Sequence, residues 1–271
     1  MRSLLAAWPA LRRRIERAGQ VVLFLDYDGT LTPIVGHPSK ARLSPPARRL
    51  LRELNKQRGI WIALVSGRAL KEVRRMVGLK ELCYVGNHGL ELAGPKLRHV
   101  NPMARKSRPL LRKVAASLRK ELRRIPGAWV EDKGLTLAVH CRQVKPREKL
   151  LVRNAFHEAV FSYEKKKQIR VTAGKEVFEV RPPVHWTKGT VVTWLLARRE
   201  AVGPGGPVLP VYIGDDLTDE DAFKALGSRG ITVAVGPPNP LTRARYGAAS
   251  HLQVLDFLRR LLKARKEKRA G

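Results

Sequence analysis

Cysteine, aromatic residues and negative charge are all scarce in this sequence, and each shortage removes a class of protein. Two cysteines, Cys83 and Cys141, in 271 residues cannot build a disulfide framework. They read as core residues of a reduced compartment, and the expected location is cytoplasmic. Aromatics make up 6% and none lies in the basic tail Arg259–Arg269, so the stacking platforms of a single-strand nucleic-acid binder are missing. No apolar stretch reaches the roughly 18 residues of a membrane span. The N-terminal residues 1–19 hold one short apolar run, broken by Pro9 and then by Arg12, Arg13 and Arg14, so neither a membrane helix nor a signal peptide is expected.

Acidic residues number 23 against 54 Lys and Arg, a formal net charge of +31. Such a charge raises nucleic acid or an anionic membrane as a partner, yet it is spread along the chain: +12 over residues 1–101, +13 over 102–181 and +6 over 182–271. Basic runs of this kind read as solvated helix faces, so no membrane or nucleic-acid partner is expected. A basic nucleic-acid-binding protein stays open as the reading from a different class. What is plentiful is core material, 44% hydrophobic, enough for one large domain or two unequal ones; a monomer is expected.

Three apolar runs end at polar or glycine turns: Val21–Leu25 before Asp-Tyr-Asp-Gly, Ile60–Val65 before Ser-Gly-Arg, and Val208–Ile213 before Gly-Asp-Asp. A fourth, Ile231–Val235, ends at Gly-Pro-Pro, and a fifth, Leu82–Val85, precedes Gly-Asn-His-Gly. Continuous apolar runs read as strands buried on both faces. Helical stretches at Pro46–Gln57, Ala69–Val77, Lys188–Arg199 and Asp219–Leu226 separate them. That alternation predicts an α/β fold with a parallel sheet, whose chemistry gathers at the carboxyl ends of the strands.

Residues 102–181 break the pattern with a basic helix (Ala104–Arg124), an alternating strand (Leu135–His140), a helix (Pro146–Tyr163) and short strands at Gln168–Thr172 and Val177–Val180. They read as an α+β domain inserted into a core of residues 1–101 and 182–271. Prolines at 102 and 182–183 suit hinges. His140 is read as structural, on the face of Leu135, Leu137 and Val139, and Trp186 and Trp194 as core packing. Gly-Pro-Gly-Gly-Pro at 203–207 is read as a loop.

Seven of the 23 acidic residues fall in two strand-end motifs, at 26–28 and 215–221. Concentrating like charges is unfavourable unless a cation is bound, and carboxylates without His or Cys partners favour hard Mg²⁺ over zinc.

The order Asp26-x-Asp28-Gly-Thr, Ser66, Lys188 and Asp215-Asp216 resembles the four motifs of the haloacid dehalogenase superfamily. Further matches at 26–34, 66–68, 86–91, 130–142, 178–182 and 214–221 narrow the resemblance to the trehalose-6-phosphate phosphatase family. The resemblance implies a haloacid dehalogenase-like Rossmannoid core with an inserted α+β cap, and hydrolysis of a phosphorylated disaccharide. Asp26 would be the nucleophile that forms an aspartyl-phosphate; Asp28 would protonate the leaving oxygen and then activate water. Mg²⁺ would be held by Asp26, the Asp28 carbonyl and Asp215, supported by Asp216 and Asp219, while Lys188 and Ser66 meet the phosphoryl oxygens. Glu131, Lys133, Arg142 and Glu179 would read the sugar, with Arg68, Asn87 and His88 at the core rim. Related phosphatases for sucrose or mannosyl-glycerate phosphate share this core and remain the nearest alternative.

Overall fold

The computed structural model describes residues 1–36, 38–174, 176–198 and 206–270. The chain divides into two compact units, Met1–His99 with Trp186–Gly271, and Val100–His185. In chain order the first unit begins with β1 (Arg2–Ser3), α1 (Trp8–Arg17), β2 (Gln20–Asp26), α2 (Pro45–Asn55), β3 (Ile60–Val65), α3 (Leu70–Val77), β4 (Cys83–Gly86), β5 (Glu91–Gly94) and β6 (Leu97–Val100). The second unit contributes α4 (Pro102–Lys106), α5 (Arg108–Leu122), β7 (Trp129–Asp132), β8 (Leu137–His140), α6 (Lys149–Lys165), β9 (Arg170–Gly174) and β10 (Val177–Arg181). The first unit resumes with α7 (Lys188–Leu196), β11 (Val208–Gly214), α8 (Glu220–Leu226), β12 (Ile231–Val235), β13 (Tyr246–Ala248) and α9 (His251–Ala270).

The strand order β1-β13-β12-β11-β2-β3-β4-β5-β6 is parallel from β1 to β4, and β5 returns antiparallel. The apolar runs are continuous because both faces of this sheet are covered. On β2 the odd residues Val21, Leu23 and Leu25 join one core cluster with residues of α1, α2 and α9, while Val22 and Phe24 join another with residues of α7 and α8. Trp186 and Trp194 pack against the second cluster, Trp194 from within α7 and Trp186 from just before it. Helix ends follow local chemistry. Ser44 caps α2 by accepting from the Ala47 amide, ahead of prolines in its first turn, and Ala47, Leu50, Leu51 and Leu54 turn inward.

In the second unit an antiparallel sheet, β7-β8-β10-β9, buries Leu137, Val139 and Val180 against α5 and α6. The expected helix over 104–124 is two helices meeting at Ser107. His140 lies on the opposite face from Leu137 and Val139, because a two-residue repeat sends an even position the other way. Its ring stacks on Trp129 at 4.1 Å. Strands β1, β5, β6, β7 and β13 have no counterpart in the sequence reading, since runs of two to four residues show no measurable period. Arg199 and residues 203–205 of the expected loop lie outside the described residues.

Candidate active site at the strand ends

Parallel pairing sets the site. Asp26 pairs with Val65, Val65 with Val85, and Ile213 with Leu25, so Asp26, Ser66, Asn87 and Asp215 all emerge at one edge of the sheet. Thr187 caps α7 there, and Lys188 is the first residue of that helix. Its ammonium reaches Asp26 Oδ1 at 2.8 Å and Asp219 Oδ1 at 2.7 Å. The Tyr212 hydroxyl donates to the same Asp219 oxygen at 2.6 Å, and the Asp216 amide donates to Asp219 Oδ2 at 3.0 Å. Asp219 is thus fully engaged, whereas Asp215 Oδ1 takes one bond from Thr30, at 3.3 Å. Asp216 turns to the loop, accepting from the Leu217 amide at 2.7 Å.

Burial decides the electrostatics. Lys188 is 3% exposed, Asp26 5% and Asp219 0%. Burial, reinforced by Asp219 and Asp215 and opposed by Lys188, holds the Asp26 carboxyl well above its usual range. Burial and then Asp219 push Asp215 up to about 7. Burial works against the charge on Lys188, but Asp219 and Asp26 outweigh it and raise its pKa.

One ammonium therefore faces three carboxylates, Asp26, Asp215 and Asp219, each with an oxygen within 4.8 Å of the others. An all-oxygen, net-negative donor set suits Mg²⁺. Gly29, at φ +75°, lies so close that a Cβ would overlap the Asp215 carboxylate, which brings the Asp28–Gly29 backbone against the same cluster. The residues fit the ion, and since Lys188, Tyr212 and the Asp216 amide occupy Asp219, Asp26 and Asp215 are the side chains left to hold it.

At the rim, Arg68 clamps Asp28 through two bonds of 2.7 Å and reaches Glu72 at 2.6 Å. Burial opposes the guanidinium charge, but Asp28 and Glu72 outweigh it and raise its pKa. The Ser66 hydroxyl accepts from the Arg68 amide at 3.1 Å, the Ser66 carbonyl accepts from the His88 amide at 3.1 Å, and the Asn87 amide donates to the Arg68 carbonyl at 2.7 Å. These bonds join the loops after β3 and β4. Asn87 and His88 both take left-handed backbone, φ 49° and 55°. Glu91 secures the turn by accepting from Asn87 Nδ2 at 2.6 Å and from the Leu70 amide at 2.9 Å.

In the second unit the sheet face opposite the core is polar. Glu131, Ala138 and Glu179 lie in one row across β7, β8 and β10, so the fully buried Ala138 separates two carboxylate-bearing positions. Lys133 bonds Glu179 at 3.2 Å, Arg181 bonds it at 2.5 Å, and His140 Nε2 lies 2.8 Å from Glu131. Arg142 lies exposed beyond the end of β8.

A family profile described as trehalose-phosphatase matches residues 24–240. The chain belongs to the trehalose-phosphatase family. It is 38% identical over 254 residues to the trehalose-phosphate phosphatase of Mycobacterium tuberculosis, covering 92% of this chain and 63% of that one. To trehalose-phosphate phosphatase B of Arabidopsis thaliana it is 36% identical over 256 residues, covering 90% and 66%. The chain thus spans somewhat less than two thirds of the length of these curated relatives. Among solved structures, the C-terminal domain of the C. albicans trehalose-6-phosphate phosphatase matches with a TM-score of 0.83 at 28% identity, covering 97% of this chain and 98% of that one.

Every site residue named above lies inside the family's matched span. Sequence reasoning missed Tyr212, Thr30, Glu72 and Glu91. Glu72 follows Arg68 by one helical turn and Glu91 follows Asn87 by four residues, a spacing that signals pairing. Tyr212 had no such signal, because it sits in an apolar run and its partner lies beyond the turn.

Proposed function

We propose that this chain is a Mg²⁺-dependent phosphatase that hydrolyses trehalose 6-phosphate to trehalose and phosphate through a phosphoryl group carried on Asp26. The observation that carries the reading is the buried Asp26–Lys188–Asp219 set beside Asp215, within a chain of this family. Residues 1–101 and 182–271 act as the catalytic core and 102–181 as the specificity domain, in the cytoplasm.

In this reading Lys188 holds Asp26 Oδ1 and leaves Oδ2 to attack phosphorus. The bond from phosphorus to the sugar oxygen breaks, and Asp28 gives that oxygen its proton. Water then hands a proton to Asp28 and attacks phosphorus, which frees phosphate and restores the Asp26 carboxylate. Both Asp28 oxygens are bound to Arg68, so Asp28 must turn from this clamp before it acts as the acid. Lys188 and Ser66 meet the phosphoryl oxygens; Asp26, Asp215 and the Asp28 carbonyl would hold a Mg²⁺ ion, which when bound would supply positive charge opposite those oxygens. Glu131, Lys133, Arg142 and Glu179 read the sugar, with Arg68, Asn87 and His88 at the core rim.

The test is phosphate release from trehalose 6-phosphate, other sugar phosphates and a small aryl phosphate, with and without EDTA. Trehalose 6-phosphate is expected to be the preferred substrate, and chelation to stop turnover until Mg²⁺ returns. Asp26→Asn should lose more than the roughly 10²–10⁴-fold of an acid–base partner. Ala at Glu131, Lys133 or Glu179 should cost about 10- to 150-fold on the disaccharide and spare the aryl ester. An Asp26→Asn enzyme above half of wild-type rate refutes the mechanism; preference for another sugar phosphate refutes the substrate.

A further inference from the structure

We propose that the outer face of α4 and α5 binds the phosphate backbone of a nucleic-acid duplex without reading its sequence. Counted along the chain the positive charge is spread, but the fold gathers it. Arg108, Arg112, Arg119 and Arg123 recur at helical steps along α5 and its C-terminal cap, with Ala116 in the one gap, and form a single stripe, and Arg105 of α4 precedes them across Ser107. Lys106, Lys113, Lys120 and Arg124 run beside it. All nine are exposed, and Glu121 is the single acidic residue from 102 to 124. Among the described residues none of the nine side chains makes an ion pair or hydrogen bond.

A face kept only for solubility mixes signs, because like charges at helical spacing oppose the helix. The neighbouring α6 shows that pattern: Arg153, His157, Glu158 and Glu164 share its exposed surface, and Lys149 pairs with Glu176 at 2.6 Å. On α5 no acid stands in the first turn, where the helix dipole would favour one. The unpaired stripe is therefore electrostatically unfavourable in isolation and complementary to a polyanion.

Its shape selects among polyanions. Arg108 to Arg123 spans about 22 Å at 1.5 Å per residue, far longer than one phosphate group and comparable to a dozen charges along a duplex at about 1.7 Å each. An anionic bilayer would need apolar side chains among the cations, but Leu111, Val114, Ala115, Leu118 and Leu122 are committed to the core of the second unit. Arginine predominates, and its planar fork suits phosphate. Besides the cations, the exposed residues of the two helices are Pro102, Met103, Pro109, Ala116 and Glu121; Met103 is the single large apolar side chain among them, and no Asn or Gln stands there to read base edges, so contact stays with the backbone. This inference does not rest on the phosphatase reading.

The experiment is fluorescence anisotropy of the whole chain with a labelled 24-base-pair mixed-sequence DNA duplex, titrated across KCl concentrations. With five arginines on phosphates, log K should fall with log salt at a slope of about −4 to −5. Charge reversal at Arg108, Arg112, Arg119 and Arg123, each to Glu, should weaken binding at least about tenfold and flatten the slope by about 3 to 4. The same four changes to Gln should give an intermediate loss and serve if the Glu variant melts early by circular dichroism. The control reverses four cations on α9: Arg259, Arg260, Lys263 and Lys266. Equal losses from the control and stripe variants would show attraction to net charge alone and overturn the proposal. So would undiminished binding by both stripe variants, or competition by phosphatidylserine vesicles as effective as by duplex.

Discussion

Replacing Tyr212 by Phe removes one hydroxyl from the floor of the candidate active site and leaves the ring in place. That hydroxyl donates to Asp219 Oδ1 at 2.6 Å, and both residues are fully buried. A hydrogen bond to a charged acceptor contributes about 1.5–3 kcal/mol. Asp219 keeps Lys188 and the Asp216 amide, so the loss should sit near the middle, about 2 kcal/mol. For a unit of this size that lowers Tm by roughly 4–8 °C. Lys188 still grips Asp26, so turnover of a small phosphate ester should fall by less than about tenfold. Lys188→Met is the contrasting change: it leaves buried carboxylates facing one another, an expected cost of about 3–5 kcal/mol, and removes catalysis. Thermal melts and ester turnover on both variants make the comparison. If Tyr212→Phe melts within about 1 °C of wild type, or destabilises more than Lys188→Met, then the hydroxyl is not what steadies Asp219.

Gly29→Ala should lower turnover and reduce the Mg²⁺-induced rise in Tm, since φ +75° disfavours a Cβ and the new methyl would press on Asp215; calorimetry with and without Mg²⁺ checks it, and an unchanged response would show that Asp215 does not hold the ion. Cys83 and Tyr84 are both held near 12 by burial, so native protein at pH 8 should resist thiol alkylation until denatured. Because these folded-state values lie above the ordinary 9.0 and 10.0, their contribution to stability is complete below about pH 9 and is lost as pH rises toward 12; urea unfolding from pH 8 to 11.5 should show that decline, and a flat profile would refute it.

Much of this protein is legible locally. A strand buried on both faces announces itself as an unbroken apolar run, and in a parallel sheet its carboxyl end is where polar residues can face solvent. Val21–Leu25, Ile60–Val65 and Val208–Ile213 therefore located the α/β core and led directly to Asp26, Ser66 and Asp215. The two-residue repeat of β8 was equally legible: Leu137 and Val139 point one way, so His140 points the other. Placing it with them misread the sequence rather than exposing a gap in what the sequence contains.

Other features depend on pairings between residues far apart in the chain. That Lys188 lies between Asp26 and Asp219, 162 and 31 residues away, follows from the parallel order of β11, β2 and β3 and the packing of α7 on that layer. That Tyr212 supports Asp219 follows from where the turn after β11 folds back, which no periodicity records. The charge distribution is the sharpest case. Net charge per segment is a one-dimensional count, and it made the cations look diffuse. Only when α5 commits Leu111, Val114, Leu118 and Leu122 to the core of the second unit are its five cations, Arg108, Arg112, Lys113, Arg119 and Lys120, turned outward together, because side chains set 100° apart per residue fix which positions share a face and burial of one face decides which of them meet solvent.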